Sequence, residues 1–290
     1  MLWIPLTVGA AFMQNLRSVL QKRLTGALSV NGAAYVRFCF ALPFAWIGLL
    51  ALALIQPLPA PNAGFWMFCA AGSLGQVFAS ACLLSAFTLR SFATSTALSK
   101  TEALQTAVIG LLVLDDRITA LAAVGVGVSL GGVLLLMSGV SVRDALRSPR
   151  GLVLGLLAGS GLAVAAVGFR GAALALPEGS ALLRASLTLA VALTLQTLLM
   201  GLFLRLSEPG ELTRVVASWR QGIWVGVCGA MASLGWFTAM TLQTAALVRA
   251  LGQVELLFAL LASGWVFRER IRPRELAGIA ALVFGIYLLL

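Results

Sequence analysis

The segment Leu98-Ser-Lys-Thr-Glu102-Ala-Leu104 aligns with Leu251-Gly-Gln-Val-Glu255-Leu-Leu257 when the chain is shifted against itself by 153 positions. Without a gap, the same shift places Arg117 on Arg270, Gly125 on Gly278 and Gly132 on Gly285. A membrane protein built from two similar halves usually places its binding site where the halves meet. The repeat therefore predicts an architecture, and it directs the search for function to Glu102 and Glu255.

Composition identifies a membrane protein. The chain has 290 residues, of which 60% are hydrophobic and 10% charged, and its mean hydropathy is +1.01. Soluble domains carry roughly 25% charged residues. Apolar stretches of about 20 residues, the length of a transmembrane helix, follow one another almost without interruption. They predict ten spans near residues 2–21, 32–55, 64–88, 92–114, 118–138, 151–176, 180–204, 219–242, 245–267 and 273–290.

The ten spans divide into two halves. We predict a first five-helix repeat over 1–139, an inter-repeat loop over 140–150 and a second repeat over 151–290. An odd number of spans per repeat inserts the second half upside down relative to the first. The predicted fold is therefore an all-α integral membrane protein, with ten transmembrane helices arranged as two inverted five-helix repeats around a central cavity.

Basic residues are distributed unequally between the loops. Loops after odd-numbered spans contain thirteen Lys or Arg residues, and loops after even-numbered spans contain only Arg117. The positive-inside rule places the odd-numbered loops in the cytoplasm and both termini outside. We expect a multi-pass protein of a bacterial-type inner membrane. Because the net charge of +10 lies in short loops, nucleic acid is not an expected partner.

Chemistry that needs clustered ligands or a nucleophile is not expected. The chain has no histidine, and its four cysteines lie inside apolar spans without a CxxC pair, so we expect no metal site and no cofactor. It also lacks a GxxxxGK[ST] phosphate loop, a GxSxG or HExxH motif and a dinucleotide-binding fingerprint. These absences argue against an enzyme.

Two acidic residues lie near the middle of predicted spans. Glu102 and Glu255 each follow about ten residues of their span, and ionisable groups at such depth are candidates for function. One interpretation is a carboxylate paired with an arginine for purely structural reasons. The other is a carboxylate that binds a proton or a substrate ammonium group. Ser99, Lys100 and Gln105 share the polar span of Glu102, which we expect to line a wet cavity.

Further residues could complete a site. Arg17 and Arg170 occupy matching repeat positions, and each could either reach the lipid headgroups or bind a carboxylate. Arg249 lies in the same span as Glu255 and could form an ion pair. Trp236 and Phe237 are the aromatic residues predicted to line the substrate cavity. The alternative is that they pack against neighbouring helices, as most aromatic residues in a helical bundle do.

The repeat resembles the drug/metabolite transporter superfamily, in particular EamA-like exporters. The resemblance rests on an acidic residue in the fourth helix of each half, a short charged loop, and a last helix with two glycines seven residues apart. The first half has Glu102, Asp115-Asp116-Arg117 and Gly125 with Gly132, and the second has Glu255, Arg268-Glu269-Arg270 and Gly278 with Gly285. Ala103 and Leu256 depart from the proline of the family pattern, and members usually have cytoplasmic termini.

The resemblance implies a secondary transporter that exports small polar metabolites by alternating access. Amino acids, as in YddG-type exporters, suit a cavity offering both signs of charge. The alternatives are a multidrug or quaternary-ammonium exporter, whose site needs acids surrounded by aromatics, and a lipid-binding, flippase-like subunit. The expected partners are a small-molecule substrate and the bilayer, with the protein acting as a monomer.

Overall fold

Helices make up the regular structure of the part of the chain that the structure describes. A computed structural model describes residues 1–87, 92–136, 149–258 and 273–289. In chain order, its helices are α1 (Trp3–Lys22), a 3-10 turn (Arg23–Gly26), α2 (Val30–Cys39), α3 (Leu42–Ala53), α4 (Ala63–Phe87), α5 (Phe92–Ser99), α6 (Glu102–Leu114), α7 (Ala120–Leu136), α8 (Pro149–Ala175), α9 (Ala181–Ser207), α10 (Glu211–Ala217), α11 (Trp219–Leu242), α12 (Ala245–Gly252) and α13 (Pro273–Leu289). Residues 255–258 are also helical.

Several of these helices can cross a bilayer. Within the described ranges, six stretches are long and apolar enough: Val30–Ala53, Ala63–Ala86, Ser95–Leu114, Pro149–Ala175, Ala181–Ser207 and Trp219–Leu242. The apolar helices Ala120–Leu136 and Leu276–Leu289 are shorter. The chain is therefore a multi-pass helical membrane protein. Most of the predicted inter-repeat loop and the end of the ninth predicted span lie outside the described residues.

The second predicted span matches one apolar stretch, Val30–Ala53, that contains a short turn. The span near 32–55 divides into α2 and α3, with a turn at Phe40 and Ala41. Pro43 lies in the first turn of α3. Because proline lacks an N–H group and its ring clashes with the carbonyl four residues earlier, it cannot continue α2, but it fits the start of a new helix.

The fourth and ninth predicted spans are also interrupted, at equivalent places. The fourth breaks between α5 and α6 at Lys100 and Thr101, and the ninth breaks after α12 at Gln253 and Val254. These pairs are related by the repeat shift. Both breaks form i→i−3 hydrogen bonds, such as Thr101 N to Leu98 O at 3.1 Å and Val254 N to Leu251 O at 3.0 Å. The repeat thus encodes two discontinuous helices.

The chain forms two compact units. Unit 1 contains residues 1–77 and 168–242, and unit 2 contains 78–167 and 243–290. Each unit takes segments from both halves of the chain. The repeat shift maps 15–77 onto 168–230 within unit 1 and 90–137 onto 243–290 within unit 2. These repeat-related segments therefore lie in the same unit, whereas 1–14 and 78–89 map onto segments of the other unit. The predicted boundaries at 139 and 151 stay a prediction.

Unit 1 is organised around α11. α1 packs along α11, and α9 packs against α2, α3 and α11. Gly222 and Gly226 of α11 meet Phe40 so closely that a Cβ on either would clash with it. Phe40 lies in the turn between α2 and α3. Because the two glycines have no side chains, this turn packs directly against the backbone of α11. A buried apolar cluster nearby contains Leu24, Leu28, Ala33, Val36, Val215 and Val225.

Unit 2 contains a glycine-mediated crossing of α7 and α13. A Cβ on Gly132 would lie 2.5 Å from Leu282 N, and one on Gly125 would lie 2.9 Å from Gly285 O. A Cβ on Gly278 would in turn lie 2.9 Å from Gly132 O. The early part of α7 meets the late part of α13, so the helices run antiparallel. Exchanging repeat-related residues reproduces the same contacts, which is the pattern of a two-fold interface.

Candidate functional site

Glu102 and Glu255, the two acids predicted to lie within the membrane, each begin a helical segment after a break. Glu102 is the first residue of α6, and Glu255 begins the segment 255–258. The first turn of a helix has N–H groups without intrahelical partners and a positive partial charge. Both glutamates therefore lie at the end of a helical segment that carries a positive partial charge.

The two glutamates form crossed ion pairs inside unit 2. Arg249 of α12 forms an ion pair with Glu102, with 2.6 Å between Nη2 and Oε2. Lys100, in the break before α6, donates from Nζ to Glu255 Oε1. Each acid is thus paired with a base from the other interrupted helix. We call these four residues the charge cluster.

The charge cluster is largely shielded and carries no net charge. The Glu102 side chain is 6% exposed, and the other three members are 15 to 18% exposed. The acids are repeat-related, whereas the bases are not, because the shift aligns Lys100 with Gln253 and Thr96 with Arg249. The repeat therefore relates the two acids of the charge cluster to each other but does not relate the two bases.

Polar side chains around the charge cluster differ in how their hydrogen bonds are satisfied. Gln105 donates to Thr101 Oγ1 at 2.8 Å and accepts from Ser160 Oγ at 2.6 Å. Ser99 is buried and donates to Thr96 O at 2.7 Å. Gln253, in the turn before Glu255, is 3% exposed, and among the described residues its Oε1 has no hydrogen-bond partner. Gln253 therefore has a buried acceptor and lies two residues before Glu255 of the charge cluster.

Trp236 and Phe237 lie in unit 1 and not in the unit that holds the charge cluster. Trp236 donates from Nε1 to Gln14 Oε1 at 3.1 Å. Phe237 stacks on Phe169, with ring centroids 4.4 Å apart. Both side chains thus have defined packing partners on α1 and α8, and their predicted role in binding substrate stays a prediction.

Arg17 and Arg170 also lie in unit 1. Arg170 donates from Nη1 to Met240 O at 2.5 Å, two residues before α11 ends at Leu242. This contact satisfies one of the carbonyls that a helix C-terminus leaves without an intrahelical donor. Arg17 lies on α1 beside α11, where its Cδ is 3.4 Å from the position that a Cβ on Gly229 would take. Both arginines belong to unit 1, whereas the four residues of the charge cluster belong to unit 2.

Sequence reasoning missed a second polar cluster, in unit 1. Glu208 accepts hydrogen bonds from Ser29 Oγ at 2.5 Å and Asn31 Nδ2 at 2.6 Å. Glu211 accepts from Ser29 N at 2.6 Å and pairs with Arg214. These hydrogen bonds connect the segment between α9 and α11 to the start of α2. The sequence feature that could have indicated this cluster is the pair of acids in a loop whose other charged residues are all basic.

Comparisons with known proteins agree with a transporter. Residues 1–138 match the model of the EamA-like transporter family, which indicates a membrane transporter and not an enzyme. No curated protein matches the chain. A solved crystal structure of a protein superposes with a TM-score of 0.70 at 16% identity, covering 99% of this chain and 95% of that chain. At this identity, the likeness shows the fold alone.

Proposed function

We propose that the protein is a secondary transporter that exports small zwitterionic metabolites, amino acids in particular, in the manner of YddG-type exporters. The proposed fold is ten transmembrane helices in two inverted repeats that operate by alternating access as a monomer. The charge cluster of Glu102, Glu255, Lys100 and Arg249 is the proposed substrate site. The match of residues 1–138 to a transporter family supports the general activity.

The charges of the cluster favour a zwitterion. It holds two acids and two bases in a largely shielded place. A ligand that separates these ion pairs must replace both signs of charge, because an uncompensated buried charge is costly. An amino acid does so with its ammonium group on a glutamate and its carboxylate on Arg249 or Lys100. A quaternary ammonium ion would leave the bases uncompensated.

The Gln253 acceptor favours a substrate with N–H donors. Its buried Oε1 has no partner among the described residues, and a buried acceptor in that state costs free energy until a donor arrives. The ammonium group of an amino acid can donate a hydrogen bond to it while also binding Glu255. A quaternary ammonium ion has no N–H group and cannot satisfy this acceptor.

Two features of unit 2 support the inverted repeat. Transporters of this architecture bind substrate at interrupted helices in equivalent positions of both halves. The breaks at Lys100–Thr101 and Gln253–Val254 occupy such positions. The antiparallel, reciprocal crossing of α7 and α13 is what an axis in the membrane plane would produce. We further propose insertion in a bacterial-type inner membrane with the basic odd-numbered loops in the cytoplasm.

Transport into proteoliposomes tests this proposal. We expect uptake of a labelled amino acid by the wild-type protein, inhibited by other amino acids but not by tetraethylammonium. Replacing Glu102→Gln together with Arg249→Gln removes one ion pair without leaving a buried charge. This double variant should stay monodisperse and lose at least tenfold in uptake. The control Glu178→Gln changes an exposed acid and should transport normally.

Three results would count against the proposal. Normal uptake by the folded double variant would mean that this ion pair serves structure only. Uptake of tetraethylammonium, without uptake of amino acids, would assign the chain to the multidrug alternative. Transbilayer movement of a fluorescent phospholipid, with neither uptake activity, would support the flippase-like alternative.

A further inference from the structure

Unit 1 contains an apolar cavity, and none of its lining residues belongs to the charge cluster. It has a volume of about 160 Å³ and lies between α3, α9 and α11. Phe44, Ala45, Leu189, Val227 and Leu234 are among its lining residues, together with Ser186. The Ser186 hydroxyl already donates to Leu182 O at 2.8 Å. A polar ligand would therefore find an almost wholly apolar wall.

The cavity lies at the depth of the hydrocarbon core. Its lining residues on α11 extend from Val227 to Leu234, which are 8 and 15 positions after the first residue of the helix, Trp219. At 1.5 Å per residue, these positions lie roughly 12 to 22 Å along the helix. The hydrocarbon core is about 30 Å thick, so the lining is near its middle.

The mouth of the cavity faces the lipid. Gly48 and Met231 belong to the lining, and both are exposed, Met231 by 52%. The large exposed side chains beside them are apolar: Ile47 and Leu50 on α3 and Trp224 on α11. An apolar rim at mid-membrane depth contacts acyl chains and not water. The cavity is thus a lateral opening in a bilayer-facing surface.

We propose that this cavity, the α3–α9–α11 groove, binds one acyl chain of a bilayer phospholipid. An apolar cavity of about 150 Å³ stays dry and can accept an apolar molecule the size of benzene. Left empty, its walls would lose dispersion contacts that a few methylene groups restore. The surrounding bilayer supplies such groups at the mouth. This lipid site does not depend on the substrate of the charge cluster.

Photo-crosslinking tests the groove. The wild-type protein is placed in nanodiscs containing a phospholipid with a diazirine in the middle of one acyl chain. After irradiation, modified residues are mapped by mass spectrometry. We expect labelling of Phe44 and Met231 to exceed that of Leu112 at least fivefold, although Leu112 on α6 is 78% exposed. Unlabelled phospholipid should compete for the groove positions at lower concentrations than for Leu112.

The matched variants are Gly48→Leu and Gly9→Leu. No heavy atom lies within 4 Å of a Cβ at either glycine, so both should fold. Gly48→Leu blocks the groove and should abolish the excess labelling, whereas Gly9→Leu on α1 should not. Ala230→Leu, which fills the cavity from α11, provides a second test. Equal labelling of the groove and Leu112, or excess labelling that persists in folded Gly48→Leu and Ala230→Leu proteins, would overturn the proposal.

Discussion

At the scale of single residues, the sequence identifies Glu102 and Glu255 as candidates but does not identify their partners. Their repeat-related positions in apolar spans identify them from sequence, because an acid at that depth needs a compensating charge. The position of an acid in the sequence does not show which base compensates its charge. Lys100 is two residues from Glu102, yet it pairs with Glu255, while Glu102 pairs with Arg249.

Removing the charge of Glu102 should show how much its ion pair contributes to the free energy of unfolding. We expect Glu102→Gln to lower the free energy of unfolding by roughly 3 kcal/mol, because Arg249 stays buried without its carboxylate. The double variant Glu102→Gln with Arg249→Gln should lose less than the single variant, since neither charge remains. Thermal unfolding of the purified proteins in one detergent measures both. An unchanged melting temperature for Glu102→Gln would show that the pair does not stabilise the fold.

At the scale of elements, glycines decide where helices touch. Gly131 and Gly132 are neighbours in α7, but Gly132 faces the backbone of α13, whereas a Cβ on Gly131 would meet nothing within 4 Å. Sequence shows both glycines without showing which one is in contact. Interior helix breaks are similarly ambiguous, since the turn at Lys100 and Thr101 contains neither proline nor glycine.

The two glycines provide a matched pair of substitutions. Gly132→Ala should lower the free energy of unfolding by about 1–3 kcal/mol, because the new methyl group must displace the backbone near Leu282. Gly131→Ala should be neutral, or stabilising by up to about 1 kcal/mol, because alanine favours helix and the site is open. Melting temperatures compare the two directly. Equal effects would contradict the described crossing of α7 and α13.

At the scale of the whole molecule, the charge of the loops predicts the orientation in the membrane. Among the described residues, Lys22, Arg23, Arg205, Arg214 and Arg220 belong to predicted odd-numbered loops of unit 1, whereas Arg117 lies in an even-numbered loop. Arg147 and Arg272, which the same rule places in the cytoplasm, lie outside the described residues. The positive-inside rule predicts that the two sets lie on opposite sides of the membrane.

Labelling of single cysteines tests this orientation. In a variant lacking the four native cysteines, Arg117→Cys and Glu178→Cys should react with a membrane-impermeant maleimide in intact cells. Arg205→Cys and Arg220→Cys should react only after permeabilisation, because the basic loops stay on the cytoplasmic side. The opposite pattern would place both termini in the cytoplasm, as is usual for the family that the repeat resembles.

Sequence alone determined the helical membrane class, most span positions, the repeat and the two intramembrane acids. These features depend on hydropathy, on chain periodicity and on the cost of burying charge, all of which can be read along the chain. The breaks at Lys100–Thr101 and Gln253–Val254, which contain neither proline nor glycine, were found only in the structure. Only the tertiary structure decided the crossed ion pairs, the cluster of Glu208 and Glu211, and the hydrogen bond between Trp236 and Gln14. Each of these depends on contacts between segments far apart in sequence, where backbone approach and burial select one partner among several of suitable chemistry.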